Sequence, residues 1–391
     1  MDRNERRARL AWRHHLAPEA WAVDPTEVTR SLVALHSTDP ASVYLAAMAR
    51  TRLGDPAHVE AALYDDRSLV RMLGMRRTVF VLPVETGPVV NAACTRVIAI
   101  RERRRAVQLL EQGGITSDGA TWLARVEEET MAALRQRGSA FGQELSADVP
   151  GLRTQILVGD QTKKWAGPIA VTTLVVSLLA ADGRIVRGRP RGSWISSQYR
   201  WVPRSDWLPE GIPEPPVELA RAELARRWLA AFGPAPAADL QWWTGWTAGE
   251  TKRALALLQP VEVDLDGRPG LVLPDDRAPS PRPGPWAALL PALDPTVMGW
   301  AEREWFLGDR EQRALLFDRS GNAGPTVWWD GQVVGGWAQR RDGDIAMRLL
   351  RDVGTDARVA IEGAGERLRQ SVGAVRITPR FRTPIERELT A

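Results

Sequence analysis

The sequence predicts an α+β fold, mainly helical, that consists of three tandem winged helix-turn-helix modules and a small C-terminal domain. Two observations predict it. Helices followed by a hairpin rich in glycine or basic residues occur three times, and each hairpin closes on an apolar strand and a proline, at residues 80–83, 201–203 and 271–274. The C-terminal part instead reads as a β-hairpin, further strands and one helix. Because a helix and the hairpin, or wing, of such a module contact DNA, the chain is predicted to bind nucleic acid.

The first copy is predicted within residues 1–118. Pro25 begins its first helix, since proline suits the first turn of a helix. Gly74 supplies the turn of the hairpin that ends at Pro83. The expected elements are helices at residues 25–35, 41–51 and 57–65 and a hairpin through Gly74.

The second copy, predicted at residues 119–214, is the clearest. Its first helix stops at Gly138 and its third at Asp182-Gly183, because glycine readily adopts the left-handed conformation that ends helices. A wing with a polar tip follows the third helix. The expected elements are helices at 119–137, 140–147 and 168–181, outgoing and returning wing strands at 184–188 and 199–202, and a tip at 189–193.

The third copy is predicted at residues 215–284 and the C-terminal α+β domain at residues 285–391. Asp266-Gly267 and Asp330-Gly331 are dipeptides typical of two-residue hairpin turns. The helices of the third copy are expected at 217–232, 237–243 and 248–258. In the C-terminal domain, strands are expected at 326–329, 332–339, 345–350 and 375–378, and a helix at 355–370.

Composition excludes several classes of protein. The 391 residues include one cysteine, Cys94, and four histidines, which leaves no internal disulfide and no zinc spacing. No apolar run is long enough to span a membrane and the N-terminus lacks a signal-peptide pattern, so the protein is expected in the cytoplasm, associated with the nucleoid. Dinucleotide, Walker and serine-hydrolase motifs are absent, and neither a metal nor a cofactor is predicted.

Arginine dominates the positive charge of this chain. The net charge is only +4, and three of the 52 basic residues are lysines. A GC-rich genome can explain that ratio, whereas clustering is more informative, because basic residues at a wing tip lie where DNA phosphates would be. A run at residues 101–105 is also basic and can equally be a solvated helix face. The predicted DNA contacts are Arg76, Arg77, Lys163, Lys164, Arg187, Arg189 and Arg191.

Several segments together resemble the bacterial AlkZ/YcaQ-type winged-helix DNA glycosylases. The segments are Leu-His-Ser-Thr-Asp-Pro at residues 35–40, Leu-Gly-Met-Arg-Arg-Thr at 73–78, Leu-Pro-x-Leu-Asp at 290–294 and Pro-Thr-Val-Trp-x-Asp-Gly at 325–331. The resemblance covers roughly residues 20–385. It implies that the three modules form a C-shaped clamp, and that the protein excises bulky N7-alkylated or intercalated purine adducts from DNA, either as base excision repair or as self-resistance to a genotoxic natural product.

The resemblance also indicates the catalytic residues. The family's signature, Gln-x-Gln or Gln-x-Asp before an Asp-Pro, corresponds here to His36 and Thr38, followed by Asp39. An N7-alkylated purine is cationic and leaves as a neutral base, so no general acid is needed and the task is to orient a water beside a sugar oxocarbenium ion. Neutral His36 is expected to accept the proton of that water, with the Thr38 hydroxyl as a second hydrogen-bond partner, and Asp39 is expected to steady the imidazole or the positive sugar. Asp39 could instead simply cap the helix that begins at Pro40.

Two functions stay open at this point. The first is a monofunctional DNA glycosylase that acts on double-stranded DNA. The second is a catalytically inactive winged-helix DNA-binding protein, a regulator or lesion shield, in which His-x-Thr records lost chemistry. Three modules in one chain can surround DNA without a partner, so a monomer is expected. The sequence does not decide whether the damaged nucleotide is flipped out or left stacked.

Overall fold

The computed structural model describes residues 1–52, 54–158, 167–208 and 213–391. These residues form helices, which predominate, and short antiparallel strands, so the predicted α+β class is confirmed. Many helices begin at aspartates that cap the first turn. Asp24, Asp39 and Asp118, for example, each accept a hydrogen bond from a backbone N–H two or three residues further along.

Residues 1–118 form a three-stranded sheet surrounded by helices. Its antiparallel strands lie in the order β1-β3-β2. The hairpin through Gly74 is confirmed, but the first predicted helix was too long: it ends at Ser31, and Leu35 and His36 pair with β3 instead. The elements are α1 (Arg3–Arg13), α2 (Pro25–Ser31), β1 (Leu35–His36), α3 (Pro40–Met48), α4 (Pro56–Glu60), β2 (Leu69–Leu73), β3 (Val79–Pro83), α5 (Gly87–Val90) and α6 (Arg96–Gln112).

Residues 119–208 contain the predicted helix over 119–137 and the predicted wing strands. The third helix begins at Val171 rather than at Pro168, because Gly167–Ala170 pairs antiparallel with Gln155–Val158. That pairing satisfies the backbone groups of the segment, as helix formation would otherwise do. The elements are α7 (Gly119–Arg137), α8 (Gly142–Asp148), β4 (Gln155–Val158), β5 (Gly167–Ala170), α9 (Val171–Ala181), β6 (Ile185–Pro190), β7 (Tyr199–Pro203) and α10 (Arg204–Trp207).

Residues 213–284 follow the predicted order of three helices and a hairpin. Asp266 and Gly267 have φ values of 52° and 86°. Two consecutive residues with positive φ make the type I′ turn that the dipeptide predicts. The elements are α11 (Val217–Phe232), α12 (Ala237–Thr244), α13 (Ala248–Leu258), β8 (Val261–Asp264) and β9 (Pro269–Val272).

Residues 285–391 form a four-stranded antiparallel sheet with helices packed on it. The hairpin across Asp330-Gly331 is confirmed, whereas the strand predicted at 375–378 is wrong. Gln339 fixes that segment through its side-chain amide, which donates to Val375 O and accepts from Ile377 N–H, and no strand ladder forms. The elements are β10 (Ala287–Leu290), α14 (Pro295–Met298), α15 (Arg310–Leu316), β11 (Thr326–Trp329), β12 (Gln332–Gln339), β13 (Ile345–Leu349), α16 (Thr355–Val372) and α17 (Pro384–Leu389).

Buried apolar side chains form two clusters. The larger combines residues of all four regions, most of them from the first, third and C-terminal regions, among them the fully buried Trp228 and Trp328. The smaller is built by the second region together with Ala106 and Leu110 of α6. Strand β2 packs against β6 and α9, so the two regions meet along the sheet that carries His36. No helix of the described residues is long and apolar enough to cross a membrane.

Candidate active site

The segment that carries the predicted catalytic residues is fixed at both ends. His36 pairs with Phe80 across the sheet, and Ser37 N–H donates to Val79 O at 2.8 Å. At the other end, Asp39 Oδ1 accepts from Ala41 N–H at 3.2 Å and caps α3. The backbone around Thr38 therefore joins a strand to a helix start and is anchored by hydrogen bonds on either side.

His36 borders a small cavity of about 80 Å³, here called the histidine cavity. This volume has room for a few water molecules. Phe80 packs edge-on against the imidazole, with ring centroids 5.3 Å apart. The remaining residues of the cavity wall are Ala34, Met75, Arg76, Thr78, Trp243, Leu293, Pro295, Met298 and Asn322.

Burial and the nearby charge of Arg76 lower the pKa of His36 to about 4. The imidazole is therefore neutral at neutral pH. Its Nδ1 accepts a long hydrogen bond of 3.4 Å from Thr38 N–H, which favours the tautomer with the ring hydrogen on Nε2. In this state His36 can donate one hydrogen bond to a water in the histidine cavity.

Thr38 lines a different cavity from His36. This larger space, about 490 Å³ and here called the arginine cavity, lies between the sheet of the first region and the β6-β7 hairpin with α9. Thr38 and Ser37 are part of its wall, together with Arg71 and Arg187. His36 and Thr38 are thus two residues apart in the chain but line separate cavities.

Asp39 is occupied by backbone partners. Besides capping α3, it accepts from Arg380 N–H through Oδ2 at 2.9 Å. Burial is the main reason that its pKa is raised, against the opposing effect of these hydrogen bonds. Its described hydrogen bonds do not include the imidazole of His36. The helix-cap interpretation of Asp39 therefore matches its observed contacts.

The first two predicted DNA contacts differ in environment. Arg76 and Arg77 both have positive φ, 52° and 58°, in the turn between β2 and β3. The Arg76 guanidinium lies 4.1 Å from the ring centroid of Trp242 and borders the histidine cavity. Arg77 is exposed and pairs with Glu102 at 2.7 Å. Lys163 and Lys164 lie outside the described residues.

The predicted contacts on the β6-β7 hairpin also separate into two kinds. Arg187 and Arg191 line the arginine cavity, where they lie against the rings of Trp201 and Phe141 respectively. Burial, together with the charge of Arg71, lowers the pKa of Arg187 to about 10. Arg189, in contrast, points to carboxylates. It pairs with Asp65 at 2.6 Å and with Glu60 at 3.6 Å.

The sequence prediction missed three residues of these cavities. Arg71 stands in an apolar strand and is only 3% exposed, and Tyr199 stands near it at the start of β7. An arginine inside an apolar strand was the available signal for Arg71. Asn322 borders the histidine cavity from a distant part of the chain. Its Nδ2 donates to Asp318 at 2.9 Å, which leaves Oδ1 as an acceptor.

The Leu-Pro-x-Leu-Asp segment ends in a buried ion pair. Asp294 and Arg50 are both fully buried and form two parallel hydrogen bonds of 2.7 and 2.9 Å. Arg50 also donates to the carbonyl oxygens of His14 and Ala46 and to the hydroxyl of Thr296. This network joins the first region, α1 and the start of α14, close to the wall of the histidine cavity. Asp294 thus has a structural role.

Among the described residues, no group of three or more His, Cys, Asp and Glu side chains could hold a metal ion. Both cavities are instead lined by groups that bind water or anions. The histidine cavity offers a neutral imidazole and an amide oxygen, and the arginine cavity offers guanidinium groups and hydroxyls.

Comparisons with known proteins give the family. The model of the family described as "DNA glycosylase AlkZ-like" matches residues 29–371. The solved structure of the Streptomyces sahachiroi DNA glycosylase AlkZ superposes with a TM-score of 0.71 and 19% identity, over 97% of this chain and 98% of that one, so the two share a fold. No curated protein matches the chain in sequence. Because the family model covers most of the chain, this protein belongs to the AlkZ-like DNA glycosylase family.

Proposed function

We propose that this protein hydrolyses the N-glycosidic bond of bulky N7-alkylated or intercalated purine adducts in double-stranded DNA. The product is an abasic site, and the reaction is monofunctional, with water as the nucleophile. One observation carries the proposal: at the position of the family's catalytic signature, neutral His36 borders a cavity large enough for water and little else. Repair and self-resistance to a genotoxin both fit this chemistry.

The proposed reaction needs little from the protein beyond position and charge. The cationic base departs as a neutral molecule and leaves an oxocarbenium-like sugar. The Nε2–H of His36 then donates to a water and holds it toward the sugar. Asn322 Oδ1, on the same cavity wall, accepts a hydrogen bond from this water. The water oxygen forms a bond to the anomeric carbon of the sugar, whose bond to the base has broken, and the proton that the water loses passes to solvent. With a pKa of about 4, His36 is a weak base, so its proposed role is to orient the water rather than to remove a proton early.

Thr38 and Asp39 have supporting roles in this proposal. Thr38 N–H donates to His36 Nδ1 and fixes which ring nitrogen carries the hydrogen. Thr38 lines the arginine cavity, where its hydroxyl is proposed to contact the DNA backbone. Asp39 holds the segment through its cap on α3 and its hydrogen bond from Arg380 N–H.

DNA binding is proposed to use the three helix-and-hairpin regions as winged helix-turn-helix modules that form a C-shaped clamp. Arg76, Arg187 and Arg191 have no carboxylate partner among the described residues and are available to phosphates. Arg77 and Arg189 would have to leave Glu102 and Asp65 to do the same. The protein is proposed to act as a monomer on nucleoid DNA in the cytoplasm.

The second candidate function is a catalytically inactive DNA-binding protein. The observation that favours it is that His36 and Thr38 face different cavities and therefore cannot hold one water between their side chains. Under this alternative the histidine cavity is only a packing defect of the sheet. DNA binding would remain, and no adduct would be released.

Base release separates the two candidates. Duplexes that carry an N7-methylguanine or a bulky N7-alkylguanine are incubated with the protein, and abasic sites are converted to strand breaks with alkali. The glycosylase proposal predicts release by wild type and by His36→Gln, which restores the family's residue, and strong loss in His36→Ala. Tight binding by all three proteins without release from either duplex would support the inactive DNA-binding protein.

A further inference from the structure

All the charged side chains among the described residues that line the arginine cavity are positive. Its wall contains four arginines, and none of the described residues that line it is acidic. The other polar side chains that line it are hydroxyls, amides and the indole of Trp201.

Arg71 is the deepest of these charges and has only neutral partners. Its Nε donates to Ser37 Oγ at 2.7 Å and its Nη1 to the hydroxyl of Tyr64 at 2.9 Å. Nη2 is buried and has no hydrogen-bond partner in the described part of the chain. The ring of Tyr199 lies 4.5 Å from the guanidinium, and its buried hydroxyl has no partner there either. A buried guanidinium without a counter-ion is unfavourable, and an anionic ligand would remove that cost.

Arg187 brings a second charge to the same place. Its guanidinium makes no hydrogen bond or ion pair with a described residue and lies 4.7 Å from the ring centroid of Trp201. Its proximity to Arg71 is one cause of its lowered pKa, beside burial. Arg191 and Arg380 add two more guanidinium groups to the wall. The nearby carboxylate, Asp39, is engaged by backbone N–H groups.

We propose that the arginine cavity binds one phosphate of the DNA backbone, and that Arg187 contacts it directly. Guanidinium groups are the preferred protein ligands of phosphate oxygens. Arg71, behind Tyr199, supplies charge and is hydrogen-bonded to Ser37, beside the catalytic position. The cavity therefore fixes a phosphodiester next to Thr38, while His36 holds the water on the other side of the segment. This inference rests on the proposed DNA substrate and adds a defined anchoring site to it.

The salt dependence of DNA affinity tests this site. The dissociation constant of a plain duplex is measured by fluorescence anisotropy at several NaCl concentrations, for full-length wild type, Arg187→Gln, Arg187→Lys and Arg369→Gln. Each lost phosphate contact lowers the slope of log affinity against log salt by about 1. Arg369 is the matched control, because it pairs with Glu366 on α16 and its loss removes the same charge.

The proposal predicts a slope reduced by about 1 in Arg187→Gln, a slope close to wild type in Arg187→Lys, and no change in Arg369→Gln. An unchanged slope in a folded Arg187→Gln protein overturns the phosphate site. If inorganic phosphate raises the melting temperature of wild type but not of Arg187→Gln while the DNA slope is unchanged, the cavity binds free phosphate and the DNA assignment is wrong. Absence of base release by wild type, together with the predicted reduction of the slope in Arg187→Gln, would overturn the proposed function alone.

Discussion

The buried pair of Arg50 and Asp294 gives the sharpest prediction about stability. Substitution of Asp294 by asparagine keeps the shape of the side chain and its cap on Thr296 N–H, at 2.9 Å, but removes the negative charge. Arg50 then remains fully buried without a counter-ion. Breaking one side of such a pair costs about 3–5 kcal/mol, because the remaining charge stays desolvated.

A double variant separates the cost of the unpaired charge from the cost of the lost hydrogen bonds. Arg50 makes five hydrogen bonds, two of which are to Asp294 and three to other acceptors. In the double variant Arg50→Met with Asp294→Asn no charge is left unpaired. The two substitutions are therefore expected to be strongly non-additive, with the double variant less destabilised than the sum of the single variants by at least 1 kcal/mol or so, as is typical of residues in contact.

Urea unfolding followed by tryptophan fluorescence measures the effect, since Trp300 stacks on His14 beside the pair. Glu366→Gln is the matched control, because it breaks an exposed pair with Arg369. Exposed pairs contribute about 0–1 kcal/mol. A loss in Asp294→Asn no larger than in Glu366→Gln would refute the reasoning, and so would full additivity of the two substitutions at the buried site.

Three further predictions concern single groups. The lowered pKa values of His14 and His36 mean that the unfolded chain binds more protons below pH 6.5, so their contribution to stability is complete above that pH and is lost on acidification. For His36, with a folded pKa of about 4, the free energy of unfolding decreases by about 2 kcal/mol between pH 7 and pH 5. Urea unfolding should therefore show a smaller decrease of this free energy in His36→Gln than in wild type, and equal decreases would contradict the prediction. Burial raises the pKa of Cys94 to about 12, so a thiol reagent should modify it only as the protein unfolds, and rapid labelling of the native protein would exclude this burial. Arg189→Gln should change the salt slope of DNA binding less than Arg187→Gln does, because Asp65 already neutralises Arg189; an equal change would show that the ion pair opens on DNA.

Much of the secondary structure could be predicted because its signals are local. The helix over residues 119–137 is confirmed at both ends, where Asp118 caps the first turn and Gly138 has a φ of 70°. The hairpin at Asp266-Gly267 is also determined by its own dipeptide. Strand β1 could not be predicted in the same way, because it consists of two residues that are extended only through their pairing with β3.

The two cavities could be predicted only in part, because residues far apart in the chain line each of them. His36 could be found from its resemblance to a family signature, but Asn322, on the same cavity wall, is far away in the chain and lies in a turn with no catalytic pattern. Arg187 and Arg71 line the same cavity only because β2 packs against β6, and no local signal predicts that packing. The sequence therefore indicated some residues of each cavity, and the tertiary packing brought them together with Arg71 and Asn322.

The rate of base release under single-turnover conditions tests the central proposal most directly. Protein in excess over a duplex with a bulky N7-alkylguanine removes differences in affinity between wild type and His36→Ala, whose binding is checked by anisotropy. The proposed water-orienting role predicts a rate about 100-fold or more lower in His36→Ala, with DNA binding retained. Equal rates in the two proteins would contradict the assignment of His36, and the absence of release by wild type would contradict the glycosylase proposal itself.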